Sequence, residues 1–145
     1  MEKCCCNTKS RLIYSCSSTA NTGEMADQIS RKLPKEGYDN MTCLASVGAH
    51  ISGFVESANG ADENITIDGC SVACAKKILE HIGVIPTKSY ALTEMGVEKG
   101  KTPSTEEIVN EICNKIKKGL SPKAEQENNT EGDKNKNSGC SCCFY

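Results

Sequence analysis

The sequence predicts a small three-layer α/β domain, Rossmann-like or flavodoxin-like, built on a mostly parallel four-stranded sheet. Three observations carry that prediction. Short aliphatic or β-branched runs at 11–15, 41–47, 64–67 and 88–93 alternate with stretches whose apolar residues recur at helical spacing. Strands that alternate with helices are joined by crossovers, which makes neighbouring strands parallel and covers both faces of the sheet. The 145 residues suffice for one such domain with a core of its own, once a polar tail is set aside.

Leu12, Ile13 and Tyr14 centre the first expected strand. A turn rich in Ser, Thr and Asn follows. A helix is expected over 24–33, with Met25, Ile29 and Leu33 on one side and Pro34-Lys35-Glu36-Gly37 as its stop. The run 41–47 reads as a second strand and 51–58 as a short helix. Ile65, Thr66 and Ile67 form the third strand, Asp68-Gly69 the turn after it. The spacing then predicts a helix opening at Cys70, with Val72, Ile78, Leu79 and Ile82 as apolar positions and Gly83 at its C-terminal cap. After a fourth strand at 88–93, Thr105 is the expected N-cap of the last helix. That helix has acidic Glu106 and Glu107 in its first turn, and Lys115, Lys117 and Lys118 in its last. Ile108, Ile112 and Ile116 line one of its faces. From Ser121 the composition turns to Lys, Glu, Asn, Asp, Gly and Ser, too polar to offset the entropy of ordering, so a disordered C-terminal tail is expected. The expected organisation is a cysteine-containing arm at 1–10, the α/β domain at 11–120, and a polar tail at 121–145 ending in a cysteine cluster.

Composition narrows the function. A formal net charge of −2, no Trp and six aromatic residues leave no basic, aromatic-studded surface for nucleic acid. No apolar run approaches the roughly 18 residues that cross a bilayer, so no membrane is expected. Met1-Glu2-Lys3 leads straight into Cys4, Cys5 and Cys6 without an apolar signal segment. The expected location is cytoplasmic, which makes the eleven cysteines reduced, metal-bound or catalytic rather than a secreted disulfide scaffold. Cys142-Cys143-Phe144-Tyr145 lacks the aliphatic centre and usual last residue of a prenylation box.

Five cysteines fall inside the domain, and four of them follow a pattern. Cys16 follows the first strand, Cys43 falls within or at the end of the second, and Cys70 follows the third. In a doubly wound sheet ligands collect beyond the carboxyl ends of the strands. Cys74 stands four residues after Cys70, which on a helix would place both sulfurs on one face about 5–6 Å apart at Cβ. A helix N-terminus would also favour their thiolates. Four thiolates suit a closed tetrahedral zinc site, and the same soft donors would hold iron, copper(I) or an iron–sulfur cluster. The alternative is that these are small buried hydrophobes, the reading given to Cys113 beside the last helix's Ile face.

Tyr14-Ser15-Cys16-Ser17, Met41-Thr42-Cys43-Leu44-Ala45, Gly48-Ala49-His50-Ile51 and the run Ile67-Asp68-Gly69-Cys70-Ser71-Val72-Ala73-Cys74-Ala75-Lys76-Lys77 together resemble the DGC-domain proteins, a prokaryotic family described as zinc-binding. The similarity runs from about residue 11 to residue 120. It implies that Cys16, Cys43, Cys70 and Cys74 are the metal positions, with Zn2+ as the cofactor. Ser18 and Ser71 stand where the family often has Gly and Pro, which touches only loop detail.

Smaller readings complete the expectations. Asp68 is expected to brace the turn before Cys70, and Gly69 to let backbone approach a bound ion. His50 reads as a loop histidine or a fifth ligand, His81 as a charge partner at a helix end. Ser17 to Glu24 could cradle a phosphate, though the scarcity of aromatics disfavours a flavin. No Arg follows Cys16 to complete a phosphatase-type loop. The overall expectation is a metal-binding protein more than an enzyme, with a thiol-redox or sulfur-relay protein as the alternative.

Overall fold

The computed structural model describes residues 9–120. The cysteines expected in the N-terminal arm (Cys4, Cys5, Cys6) and in the tail (Cys140, Cys142, Cys143), and the tail's expected disorder, lie outside the described residues. Strand β1 (Arg11–Ser15) leads into helix α1 (Asn21–Lys35), then β2 (Asn40–Met41), α2 (Leu44–Gly48), α3 (Ser52–Gly60), β3 (Glu63–Asp68), α4 (Cys74–His81), β4 (Lys88–Ala91), a 3-10 turn (Leu92–Met95) and α5 (Glu106–Lys118). The four strands form one sheet in the order β2-β1-β3-β4. Every pairing is parallel, with Ser15 opposite Ile67 where β1 meets β3. This is the flavodoxin-type order, and its direction reverses between β1 and β3.

Three layers follow from strand alternation. Ile13, Ile65 and Ile67 point into a core shared with Met25, Ile29 and Leu33 of α1 and Val109, Ile112, Cys113 and Ile116 of α5. Tyr14 points the other way, onto Val47 of α2, Ala58 of α3, and Ala75 and Leu79 of α4. Among the described residues the buried Tyr14 hydroxyl has no hydrogen-bond partner, and burial pushes its pKa up to about 12. Cys113 is fully buried, as expected of a core thiol.

Several element bounds differ from the sequence reading, each for a physical reason. The run at 41–47 is not a strand beyond Met41. Thr42 still donates to the Ile13 carbonyl at 2.9 Å, but Val47 and Ala49 donate to Cys43 and Ala45. The apolar spacing of Leu44 and Val47 serves a helix face, a periodicity that short runs share with strands. Helix α1 begins earlier than residue 24 and ends one residue beyond Pro34, which sits inside its last turn. The fourth strand stops at Ala91, where the chain coils so that Leu92 is buried.

The largest difference concerns Cys70. The helix opens at Cys74, because Ala73 adopts a left-handed conformation (φ 53°, ψ 53°) that no right-handed helix passes through. Cys70 lies in a turn closed by the Ala73 N–H on the Cys70 carbonyl at 3.0 Å. Val72 consequently leaves the apolar face and is half exposed. At the other end of α4, Gly83 (φ 84°) is the expected cap. Its N–H and that of Val84 satisfy the Glu80 and Leu79 carbonyls at 3.0 Å each, a Schellman arrangement.

Candidate functional site

The carboxyl ends of β1 and β3 meet at the point where the strand order reverses. Cys16 extends that ladder by one residue, its N–H donating to the Ile67 carbonyl at 3.1 Å. Its thiol accepts the Gly69 N–H and is partly buried. Burial pushes the Cys16 pKa up, the Gly69 N–H opposes that, and negative charge on Cys74, Asp68 and Cys70 adds to it. Cys16, Cys70, Cys74 and Asp68 therefore sit in one electrostatic neighbourhood.

Asp68 ends β3 and is buried. Its carboxylate accepts the N–H groups of Ala75 (2.8 Å) and Lys76 (3.2 Å), so two donors of the first turn of α4 serve Asp68. The expectation that this helix end stabilises the two thiolates is thus corrected: its nearest donors serve a carboxylate. Burial raises the Asp68 pKa, and the two N–H donors only partly pull it back. Asp68 is structural, as expected, but it caps α4 rather than bracing the turn before Cys70.

Gly69 has a different reason from the one expected. A Cβ there would lie 2.7 Å from the Thr22 carbonyl carbon and 2.8 Å from the Gly23 nitrogen. The space beside Gly69 is filled by the backbone at the start of α1. Gly23 is equally confined, since a Cβ on it would meet Ser18 Oγ at 2.1 Å. The hydroxyl-rich loop before α1 thus packs against the Asp-Gly-Cys turn, with Thr22 buried.

Cys43 stands at the end of β2, immediately before α2, and is exposed. The Ser46 hydroxyl and N–H, with the Ala45 N–H, lie where they favour its thiolate and hold its pKa below the ordinary thiol value. Cys74 is exposed as well, and Cys70 partly buried. Among the described residues, no three His, Cys, Asp or Glu side chains stand together as a ready metal cage. In donor chemistry the four thiols fit a soft ion.

His50 and His81 meet each other. Their rings pack edge to face with centroids 5.6 Å apart, and both line a cavity of about 270 Å3 with Val47, Gly48, Lys77, Ile78 and Ile82. No cysteine lines that cavity. One residue at the site escapes sequence reading. Lys99 places its Nζ 3.6 Å from Cys70 Sγ across a separation of 29 residues, which no local motif signals.

No helix among the described residues is long and apolar enough to cross a membrane. No solved structure matches the chain. A curated protein of Pseudomonas aeruginosa, the anaerobic and virulence modulator AnvM, is 31% identical over 88 residues, covering 61% of this chain and 67% of AnvM. The family model of the DGC domain matches residues 12–116, from the first strand through the last helix, and on that span the chain belongs to the DGC domain family.

Proposed function

We propose that the domain binds a soft metal ion, zinc foremost, through the thiolates of Cys16, Cys43, Cys70 and Cys74, in a structural or metal-handling role. The observation that carries this reading is that Cys16 and Cys70 follow β1 and β3 where the strand order reverses, with Cys74 opening α4 and Cys43 just past the neighbouring β2. All four lie beyond the strands, in turns or at helix starts. Binding can draw them together without breaking a sheet ladder. Four sulfurs leave a divalent ion no open position for water or substrate, so the site binds rather than catalyses. The name of AnvM, a modulator, agrees with a regulatory role more than with turnover.

The test is elemental analysis and a visible spectrum of the full chain purified anaerobically, beside Cys74→Ser. One zinc per chain is expected, with metal retention and thermal stability falling together in the variant, because losing a ligand loses folding energy. A brown protein would redirect the reading to an iron–sulfur cluster. A thiol-redox relay is the second reading, favoured by exposed Cys43 with its lowered pKa. It prevails if Cys74→Ser leaves metal and melting temperature unchanged while abolishing thiol–disulfide exchange.

A further inference from the structure

The loop between the 3-10 turn and α5 is tied to α1 by the side chain of Asn21. Asn21, the first residue of α1, donates from Nδ2 to the carbonyls of Glu98 (3.0 Å) and Thr102 (2.7 Å), and accepts the Gly100 N–H on Oδ1 at 2.7 Å. Thr102 closes the loop on itself, its hydroxyl accepting the Glu98 N–H at 2.8 Å and its own N–H donating to the Glu98 carbonyl at 3.0 Å. Gly100 takes the left-handed conformation (φ 81°) that the reversal requires. A loop fixed this way holds the Lys99 backbone in place, and the ammonium reaches Cys70 Sγ. Lys101, two residues on, is turned to Glu98 at 2.5 Å instead. Among the described residues, Lys99 has no carboxylate within ion-pair distance.

Four thiolates around a divalent ion leave two negative charges in excess. N–H donors to ligating sulfur offset that charge and orient the ligand, and such outer contacts govern how firmly a site keeps its metal. The Gly69 N–H already serves Cys16 in this way. We propose that Lys99, held beside Cys70 by the Asn21 clamp, is a positioning residue of the thiolate site that slows the loss of its metal. The clamp also links the two sides of the site, since Asn21 follows Cys16 by five residues on the same crossover. This inference rests on the metal-binding reading above.

The experiment uses the full chain loaded anaerobically with cobalt(II), whose sulfur-to-metal absorption reports thiolate ligation. The absorption followed is the part that Cys70→Ser removes, which sets aside cobalt held by the terminal cysteines. Release to excess EDTA is timed. Lys99→Met is expected to speed release about tenfold and to shift the charge-transfer band, with Lys99→Arg restoring most of both. Asn21→Ala should give an intermediate rate, and Lys101→Met, which removes equal charge from the same loop, should match wild type. Unchanged release in Lys99→Met, or equal acceleration in Lys101→Met, overturns the inference alone. Cobalt absorption that survives Cys70→Ser intact overturns the metal reading, and this inference with it.

Discussion

The two ends of the sheet are built on opposite terms. At the amino end, Arg11 reaches Glu63 through Nε and Asp39 through Nη1, each at 2.5 Å. Ser10 and Asp62 close the same end, the Ser10 N–H donating to the Asp62 carboxylate at 2.7 Å. Charges there meet charges, and the Arg11 and Asp39 side chains are nearly buried. At the carboxyl end, Cys16, Cys43, Cys70 and Cys74 are free thiols, with the Lys99 ammonium beside Cys70. One end spends its polar groups on holding three strands together. The other keeps soft donors available, and only Asp68, which starts α4, is committed to the frame.

That contrast can be broken most forcefully at Arg11. Arg11→Met leaves Asp39 and Glu63 without their shared cation. Removing one partner of a buried ion pair costs about 3–5 kcal/mol, so urea denaturation should show a loss of that order. Metal retention per folded molecule should not change; a variant that folds normally but loses metal would show the ends are not independent.

Asp68→Ala comes next. Losing a helix cap costs about 1–2 kcal/mol, and urea melts should register it. The pH dependence has a definite sign. Because burial raises the carboxyl's folded-state pKa, protonating Asp68 adds an increment of stability that is present below the ordinary carboxylate value and lost as pH rises through the raised one, while the cap itself remains. Asp68→Asn should remove that part of the acid-side slope, and an unaltered slope would count against the burial argument. The smallest effect separates two thiols. In metal-free protein Cys43 should alkylate with iodoacetamide several-fold faster than Cys16 below pH 9, since its pKa is lowered and that of Cys16 raised. Mass-spectrometric mapping reads both rates, and Ser46→Ala should slow Cys43 alone.

The sequence made most of this frame legible. An aliphatic run marks β1 and a β-branched one β3, and the Thr105 cap with its acidic first turn marks α5, whose Thr105 Oγ1 does accept the Ile108 N–H. The strand-end rule placed Cys16 just past β1 and Cys70 just past β3, where the structure has them. The four-residue interval from Cys70 to Cys74 misled, because it fits one helical turn while Ala73 turns left-handed and Asp68 caps from seven residues away. Leu44 and Val47 misled because five residues cannot distinguish the two periodicities. Lys99 and Asn21 were illegible for a different reason. Their partners lie 29 and about 80 residues off, so only the docking of α1 against the last loop creates them.

The contact between Gly69 and the start of α1 turns two crossovers into one corner piece. The turn that bears Cys70 lies flush against the peptide joining Thr22 to Gly23, in the chain that has just passed Cys16. Neither segment can slide without pushing the other. A glycine that seems to offer freedom works here as a weld, and the play remaining at this end of the domain is left to side chains.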